Sequence, residues 1–184
     1  MHIDIISVVP ELMQSAFAHS IMKRAQEKGL LTVACHNLRD YTTYRHAQVD
    51  DYQFGGGAGM VLMPEPLANA IEHLKEQKTF DAAIALFKAS NYASAERAFN
   101  NFLSRYPDSA YAAQAYYWLG NTHFAQRDFA NALPAYQAVY KRFSMSQKAA
   151  DAMLNTASCQ VELNETTEAR ETLEALLKKY PKSP

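Results

Sequence analysis

Cysteine is scarce in this 184-residue chain: Cys35 and Cys159 lie in different halves and form no Cys-x-x-Cys pair. That spacing suggests neither a zinc ribbon nor a disulfide framework, and both read as buried thiols. The six histidines make no His-x-His or His-x-x-x-His pairing, so no metal site is expected. A run of about 18 apolar residues is also missing, and with it any expected membrane span. Net charge is only −1. Residues 1–77 carry 6 Lys and Arg against 9 Asp and Glu, and residues 78–184 carry 12 against 10, so neither part draws phosphate by long-range attraction. No Gly-Lys-Ser/Thr follows the one glycine cluster and no Gly-x-Ser-x-Gly elbow occurs, which argues against a triphosphate loop and a nucleophile elbow. The start, MHIDIISVVPELM, has no basic leader and its apolar run is broken by Asp4 and Pro10, so a cytoplasmic location is expected of the chain as written.

What is present is a repeat. Shifting the chain by 37 residues aligns Ala95, Ala132 and Ala169, then Tyr106, Phe143 and Tyr180, then Ser109, Ser146 and Ser183. Phe87, Phe124 and Val161 share a column, as do Phe99, Tyr136 and Leu173. A fixed period of this size means stacked supersecondary units, none able to bury its apolar face alone. Within each copy the apolar residues recur at three and four, as in Ala95, Phe99, Phe102 and Leu103, which is helical spacing. The middle copy, Gln114 to Phe143, reads as two helices with a turn at Arg127-Asp128. Small residues at Ala83, Gly120 and Ala157 mark a close helix approach, with Phe99, Tyr136 and Leu173 filling the gap opposite.

The spacing Gly120, Ala132, Tyr136, Ser144, with Leu119 before the glycine and Pro107 and Pro181 where the other copies have a proline, resembles the tetratricopeptide repeat. The 37-residue period over Thr79 to Pro184 further resembles the repeat domain of the Tol-Pal cell-division coordinators, which are periplasmic envelope proteins. This implies an all-α solenoid of three helical hairpins that binds a protein or peptide on the face of each first helix. In that frame the partner-binding positions are Gln114, Tyr117, Asn121 and Phe124, then Leu154 and Ser158, with Asp151 and Val161 beside them and Phe87 and Lys88 in the first copy. Tyr117, Asn121 and Phe124 join apolar area to an amide, the usual makeup of a binding hot spot. The same aromatics also suit a core between repeats.

The beginning of the chain is different. His2 to Val9 reads as a buried strand, Pro10 to Lys28 as a helix broken near Ser15 and ended by Gly29, and Leu31 to His36 as a second strand. Strand, helix, strand implies parallel strands in a right-handed crossover. Then come His36, Asn37, Arg39, Asp40, Tyr41 and Thr42, and the run Asp50, Asp51, Phe54, Gly55, Gly56, Gly57, Gly59, Met60. Over residues 1–77 these resemble the N-terminal segment of the bacterial tRNA (guanine-N1)-methyltransferases, with Gln53 where that family usually has proline. The resemblance implies an incomplete knotted-methyltransferase fold, tRNA and S-adenosylmethionine as ligands, and Asp50, Gly55, Gly56, Gly57, Gly59 and Met60 as residues near them. The family's cofactor knot and catalytic linker follow the point where the likeness stops, and repeats stand in their place. No catalytic residue and no cofactor are therefore expected, and Arg39, Arg45 and His46 read as a solvated surface.

The expected organisation is an α/β segment over residues 1–77 and a tetratricopeptide solenoid over 78–184, joined without a linker at Gln77 to Phe80, so that Glu65 to Lys88 forms one helix. A protein-interaction scaffold is the expected function, with tRNA (guanine-N1)-methyltransferase activity in the N-terminal segment as the alternative. Leu173, Leu176 and Leu177 have no polar capping helix over them, so a homo-oligomer or a truncated chain is expected.

Overall fold

In the computed structural model, residues 1–52 and 59–181 are described. The chain divides into two compact units, Met1–Lys75 and Glu76–Pro184.

In the first unit, strands β1 (His2–Ser7) and β2 (Thr32–Asn37) pair in parallel with Ile3 opposite Val33 and Ile5 opposite Cys35. The connection holds helices α1 (Pro10–Phe17) and α2 (Ser20–Glu27), so the break expected near Ser15 falls at Ala18 and His19, three residues later. Ser20 starts the second helix at φ 56°, a left-handed turn that no glycine or proline announces. Gly29, at φ 67°, ends α2: its N–H reaches Gln26 O and the Leu30 N–H reaches Ala25 O.

Neither strand is fully buried. Met13, Phe17, Met22 and Ala25 are half-buried, whereas Leu12 and Ile21, expected on the same stripe, are 69% and 75% exposed. A pair of strands is too narrow to cover two helices. The unit's core is small instead: Leu38, Val49 and Ala70, with Ile6, Val8, Tyr41 and Leu67 against them. Two short 3-10 turns, Leu38–Tyr41 and Arg45–Ala47, lead into strands β3 (Asp50–Tyr52) and β4 (Met60–Leu62), an antiparallel pair.

Helix α3 runs unbroken from Pro64 to Lys88. Its last turns open the repeats, followed by α4 (Tyr92–Arg105), α5 (Ala112–Ala125), α6 (Phe129–Arg142), α7 (Ala149–Glu162) and α8 (Thr166–Lys179). Among the described residues the chain is mostly helical, with small sheets confined to the first unit. Among the described residues no helix is long and apolar enough to cross a membrane.

The period found in the sequence is present in the backbone. Ser90, Arg127 and Asn164 each turn the first helix of a pair into the second with φ of 58°, 59° and 63°. At all three the next residue's N–H returns to the helix, from Asn91 to Leu86 O, Asp128 to His123 O and Glu165 to Gln160 O. Asn91 and Asp128 then cap the following helix by accepting from the N–H of Ser94 and Asn131.

The close approach is also real. A Cβ built on Gly120 would stand 2.6 Å from Cε1 of Tyr136, which is 1% exposed, and Ala83, Phe99 and Ala157 are buried at the equivalent places. Phe80, Ala95, Phe99, Phe102, Ala115 and Leu119 form one cluster, and Ala132, Tyr136, Val139, Ala152 and Cys159 form the next.

Candidate partner-binding face of the repeats

The first helices of the repeat pairs, α5 and α7, carry most of the expected binding positions, one helical stripe each. On α5 the stripe is Gln114, Tyr117, Asn121 and Phe124; on α7 it is Asp151, Leu154, Ser158 and Val161. The structure separates them into two kinds.

Tyr117 and Asn121 are half-buried and hold the repeat together. Asn121 Oδ1 accepts a 2.7 Å hydrogen bond from the Tyr136 hydroxyl. The Tyr117 ring lies edge-on to Trp118 and Tyr136, and its hydroxyl takes a long 3.4 Å contact from Asn155 Nδ2. Burial pushes the Tyr136 hydroxyl far above the ordinary phenol range, so it stays a donor. Lys148 sits 5.2 Å above the Tyr117 ring and reaches Asp151 Oδ2 at 3.0 Å, a contact that raises its ammonium pKa.

Phe124, Leu154 and Val161 are the second kind, exposed by 37%, 49% and 54%. Phe124 rests edge-on against Phe129. Gln114 is exposed and Ser158 half-buried, its hydroxyl returned to Leu154 O. In the first pair Phe87 is half-buried between Tyr92 and Trp118, and Lys88 is exposed. The arrangement is an apolar strip backed by amides, with Lys148 and Asp151 at one side.

Lys148 and Asn155 were not among the expected residues. Asn155 lies on the Asp151–Ser158 stripe, so periodicity alone would have flagged it; nothing in the sequence marks Lys148, whose role depends on the ring it covers.

In the first unit the described ligand residues lie on or beside the short β3–β4 ladder, where Tyr52 is opposite Met60 and Asp50 opposite Leu62. Asp50 is half-buried on β3, Asp51 accepts from the N–H of Tyr52, Gly59 has φ 111°, and Met60 is 47% exposed on β4. Gly55, Gly56 and Gly57 lie outside the described residues. The described ones do not by themselves enclose a cofactor. Arg39 donates to Ala47 O, and Glu65 accepts from the hydroxyls of Thr43 and Tyr44.

A separate cluster joins the strands: Asp4 Oδ1 contacts Nε2 of both His2 and His36 at 2.9 Å. Burial works to raise the Asp4 carboxyl, but the bonds from His36 and His2 outweigh it and hold it below its usual range. Among the described residues no group of three or more His, Cys, Asp or Glu is placed to hold a metal ion. A cavity of about 130 Å³ between α1, α2 and β2 is lined by Gln14, Phe17, Ala18, Gln26, Val33 and Cys35. That is smaller than the roughly 300 Å³ at which small-molecule pockets begin.

An α/β unit followed by stacked helical pairs is thus a composite of two protein classes. The chain belongs to the tRNA (Guanine-1)-methyltransferase TrmD family over residues 1–104, and matches the tetratricopeptide repeat over residues 80–144 and 119–184. The two matches overlap at residues 80–104, which the structure places in the first helical pair.

The chain is 60% identical over 84 residues to a tRNA (guanine-N(1)-)-methyltransferase of Flavobacterium johnsoniae and 56% identical to that of Cytophaga hutchinsonii. Each alignment covers 46% of this chain, but only 37% and 36% of those proteins. The chain therefore spans little more than a third of the curated relatives it matches. A crystal structure of a tRNA (m1G37) methyltransferase from Aquifex aeolicus shares 31% identity over 42% of this chain and 34% of its own, with a TM-score of 0.39.

Proposed function

We propose that this protein is an interaction scaffold whose repeats hold a peptide segment of another protein along α5 and α7. The observation that carries this reading is the strip of Phe124, Leu154 and Val161, apolar side chains left in solvent at repeat-equivalent or neighbouring stripe positions. Apolar groups kept at the surface in register are the usual mark of a binding face. Tyr117 and Asn121 support the strip from below, and Gln114, Ser158, Phe87 and Lys88 extend it. The resemblance of residues 79–184 to the Tol-Pal coordinators makes envelope-division proteins the partner class to test first, which entails a periplasmic location.

A displayed random-peptide library panned on the wild type, with counter-selection on a Phe124→Ala/Leu154→Ala variant, tests this. Enriched peptides should lose at least tenfold in affinity, about 1.4 kcal/mol, on either single substitution. Peptides that bind both proteins equally would place the partner elsewhere.

The 60% identity at the N-terminus favours a second reading, tRNA guanine-N1 methylation by the first unit. When bound, S-adenosylmethionine would supply the methyl group; Asp50 or Asp51 would be the candidate base, and Gly59 and Met60 would flank the ligands. Limited proteolysis with and without S-adenosylmethionine separates the two. Protection of residues 1–77 by the cofactor supports the enzyme, whereas unchanged cleavage there with a stable core from about Thr79 supports the scaffold.

A further inference from the structure

We propose that the protein associates head to tail with a second copy of itself, the outer face of α8 in one copy receiving the last turns of α3 in the next. Both faces of such a junction are visible, and each is the repeat equivalent of a face already paired inside the chain. Helix α5 packs on α4, and α7 packs on α6. On the receiving side the equivalents are Phe102, Val139 and Leu176, and Leu103 and Leu177. Phe102 and Val139 are fully buried and Leu103 is 9% exposed, but Leu176 is only half-buried, Leu177 is 72% exposed and Leu173 is 39% exposed where Phe99 and Tyr136 are closed off.

On the inserting side Ala115, Leu119 and Thr122 of α5 correspond to Ala152, Thr156 and Cys159 of α7 and to Lys78, Ala82 and Ala85 of α3. The six residues on α5 and α7 are 7% exposed or less. Their three counterparts on α3 are all exposed. The 37-residue step that carries α5 onto α7 would carry the α3 face onto α8.

The charges agree with this occupant. Helices joined by short connections run antiparallel. The junction would then set Glu168 and Glu171, exposed on the first half of α8, toward the exposed Lys88 of the neighbour, and Lys178 and Lys179 toward its Glu76. Lys78 stands where α5 and α7 have alanine, so the junction is looser than the internal ones and its formation depends on concentration. A heterologous contact of this kind does not close on itself, so assembly continues past the dimer.

Sedimentation velocity of the full chain decides it. The wild type should rise above the 20.7 kDa protomer with concentration. Leu177→Glu and Ala85→Arg each replace a side chain already in solvent, and unchanged circular dichroism melts would establish that both fold. Each variant alone should remain monomeric, and an equimolar mixture should form a dimer and stop there, because one intact tail meets one intact head. A wild type that stays monomeric up to about 1 mM overturns the proposal. So does an Ala85→Arg variant that still dimerises, which would mean that α8 pairs with α8, and so does assembly indifferent to Leu177→Glu.

Discussion

Replacing Gly120 by alanine tests the packing of the middle repeat. Alanine normally stabilises a helix interior by about 1 kcal/mol over glycine. Here the added Cβ would stand 2.6, 2.7 and 2.9 Å from Cε1, Cδ1 and Cζ of Tyr136, well inside the 3.5–4.0 Å at which carbon atoms attract. The ring has little room to withdraw, since it is 1% exposed and its hydroxyl is tied to Asn121. Overpacking of this kind costs about 1–3 kcal/mol, which offsets the helix gain and leaves Gly120→Ala destabilised by up to about 2 kcal/mol.

The third repeat supplies the control, because it pairs Ala157 with Leu173 at the same positions. In a Tyr136→Leu background the new methyl group meets no ring, and Gly120→Ala should be neutral or stabilising by up to about 1 kcal/mol. Urea unfolding of the four proteins gives the coupling directly, expected between about 1 and 3 kcal/mol. If Gly120→Ala stabilises the wild type, or costs the same in both backgrounds, the close approach is not what selects glycine.

Three further outcomes follow from the turns, the caps and the thiols. Ser90→Gly and Arg127→Gly should each stabilise by about 0.5–1 kcal/mol in urea, because left-handed backbone costs an L residue about 1–2 kcal/mol and glycine returns part of that as unfolded-state entropy. Asn164→Gly should gain less, asparagine being tolerant of this conformation. At Asp128 the hydrogen bond from the Asn131 side chain, chiefly, holds the carboxyl below its usual range. Its stabilisation is therefore present above the unfolded-state pKa and lost as pH falls through the lower folded value. Asp128→Ala should cost about 1 kcal/mol at neutral pH, while Asp128→Asn should keep the cap and flatten the acid limb of a melting-temperature series. Burial pushes the Cys159 thiol up to about 11, so iodoacetamide at neutral pH should label Cys35 first and Cys159 only on unfolding, as mass spectrometry would report. Labelling of Cys159 at the Cys35 rate would contradict its burial.

The repeats were legible because each copy restates the same physical constraint. The column of Ala83, Gly120 and Ala157 against Phe99, Tyr136 and Leu173 named the close approach before any coordinates, and the unbroken Pro64–Lys88 helix follows from the absence of glycine and proline after Pro66. The first unit offered no second copy to compare. Its helix break depends on a left-handed Ser20, a residue with no sequence signature for that conformation. Strands β3 and β4 are three residues each, too short for alternation to show. The candidate binding positions were legible as a stripe, but not as two layers. A helical period places Tyr117 and Phe124 on one side, and only their surroundings, Tyr136 and Asn155 for the one and Phe129 with solvent for the other, separate support from surface.

That separation explains how the turns tolerate what they do. Serine, arginine and asparagine occupy a left-handed position where glycine would be easiest, and the return bonds to Leu86 O, His123 O and Gln160 O hold all three in place. The strain recurs once per repeat and is opposed each time by the same burial, with Ala95, Ala132 and Ala169 of the following helix all 3% exposed or less. The return angle of the second helix is thus fixed by interlocked side chains rather than by turn residues. Substitutions in the turns should change stability while leaving the Phe124–Leu154–Val161 strip in register; substitutions at Gly120 or Tyr136 should disturb both. Affinity for a selected peptide, measured across the same variants, should therefore follow Gly120→Ala and ignore Arg127→Gly.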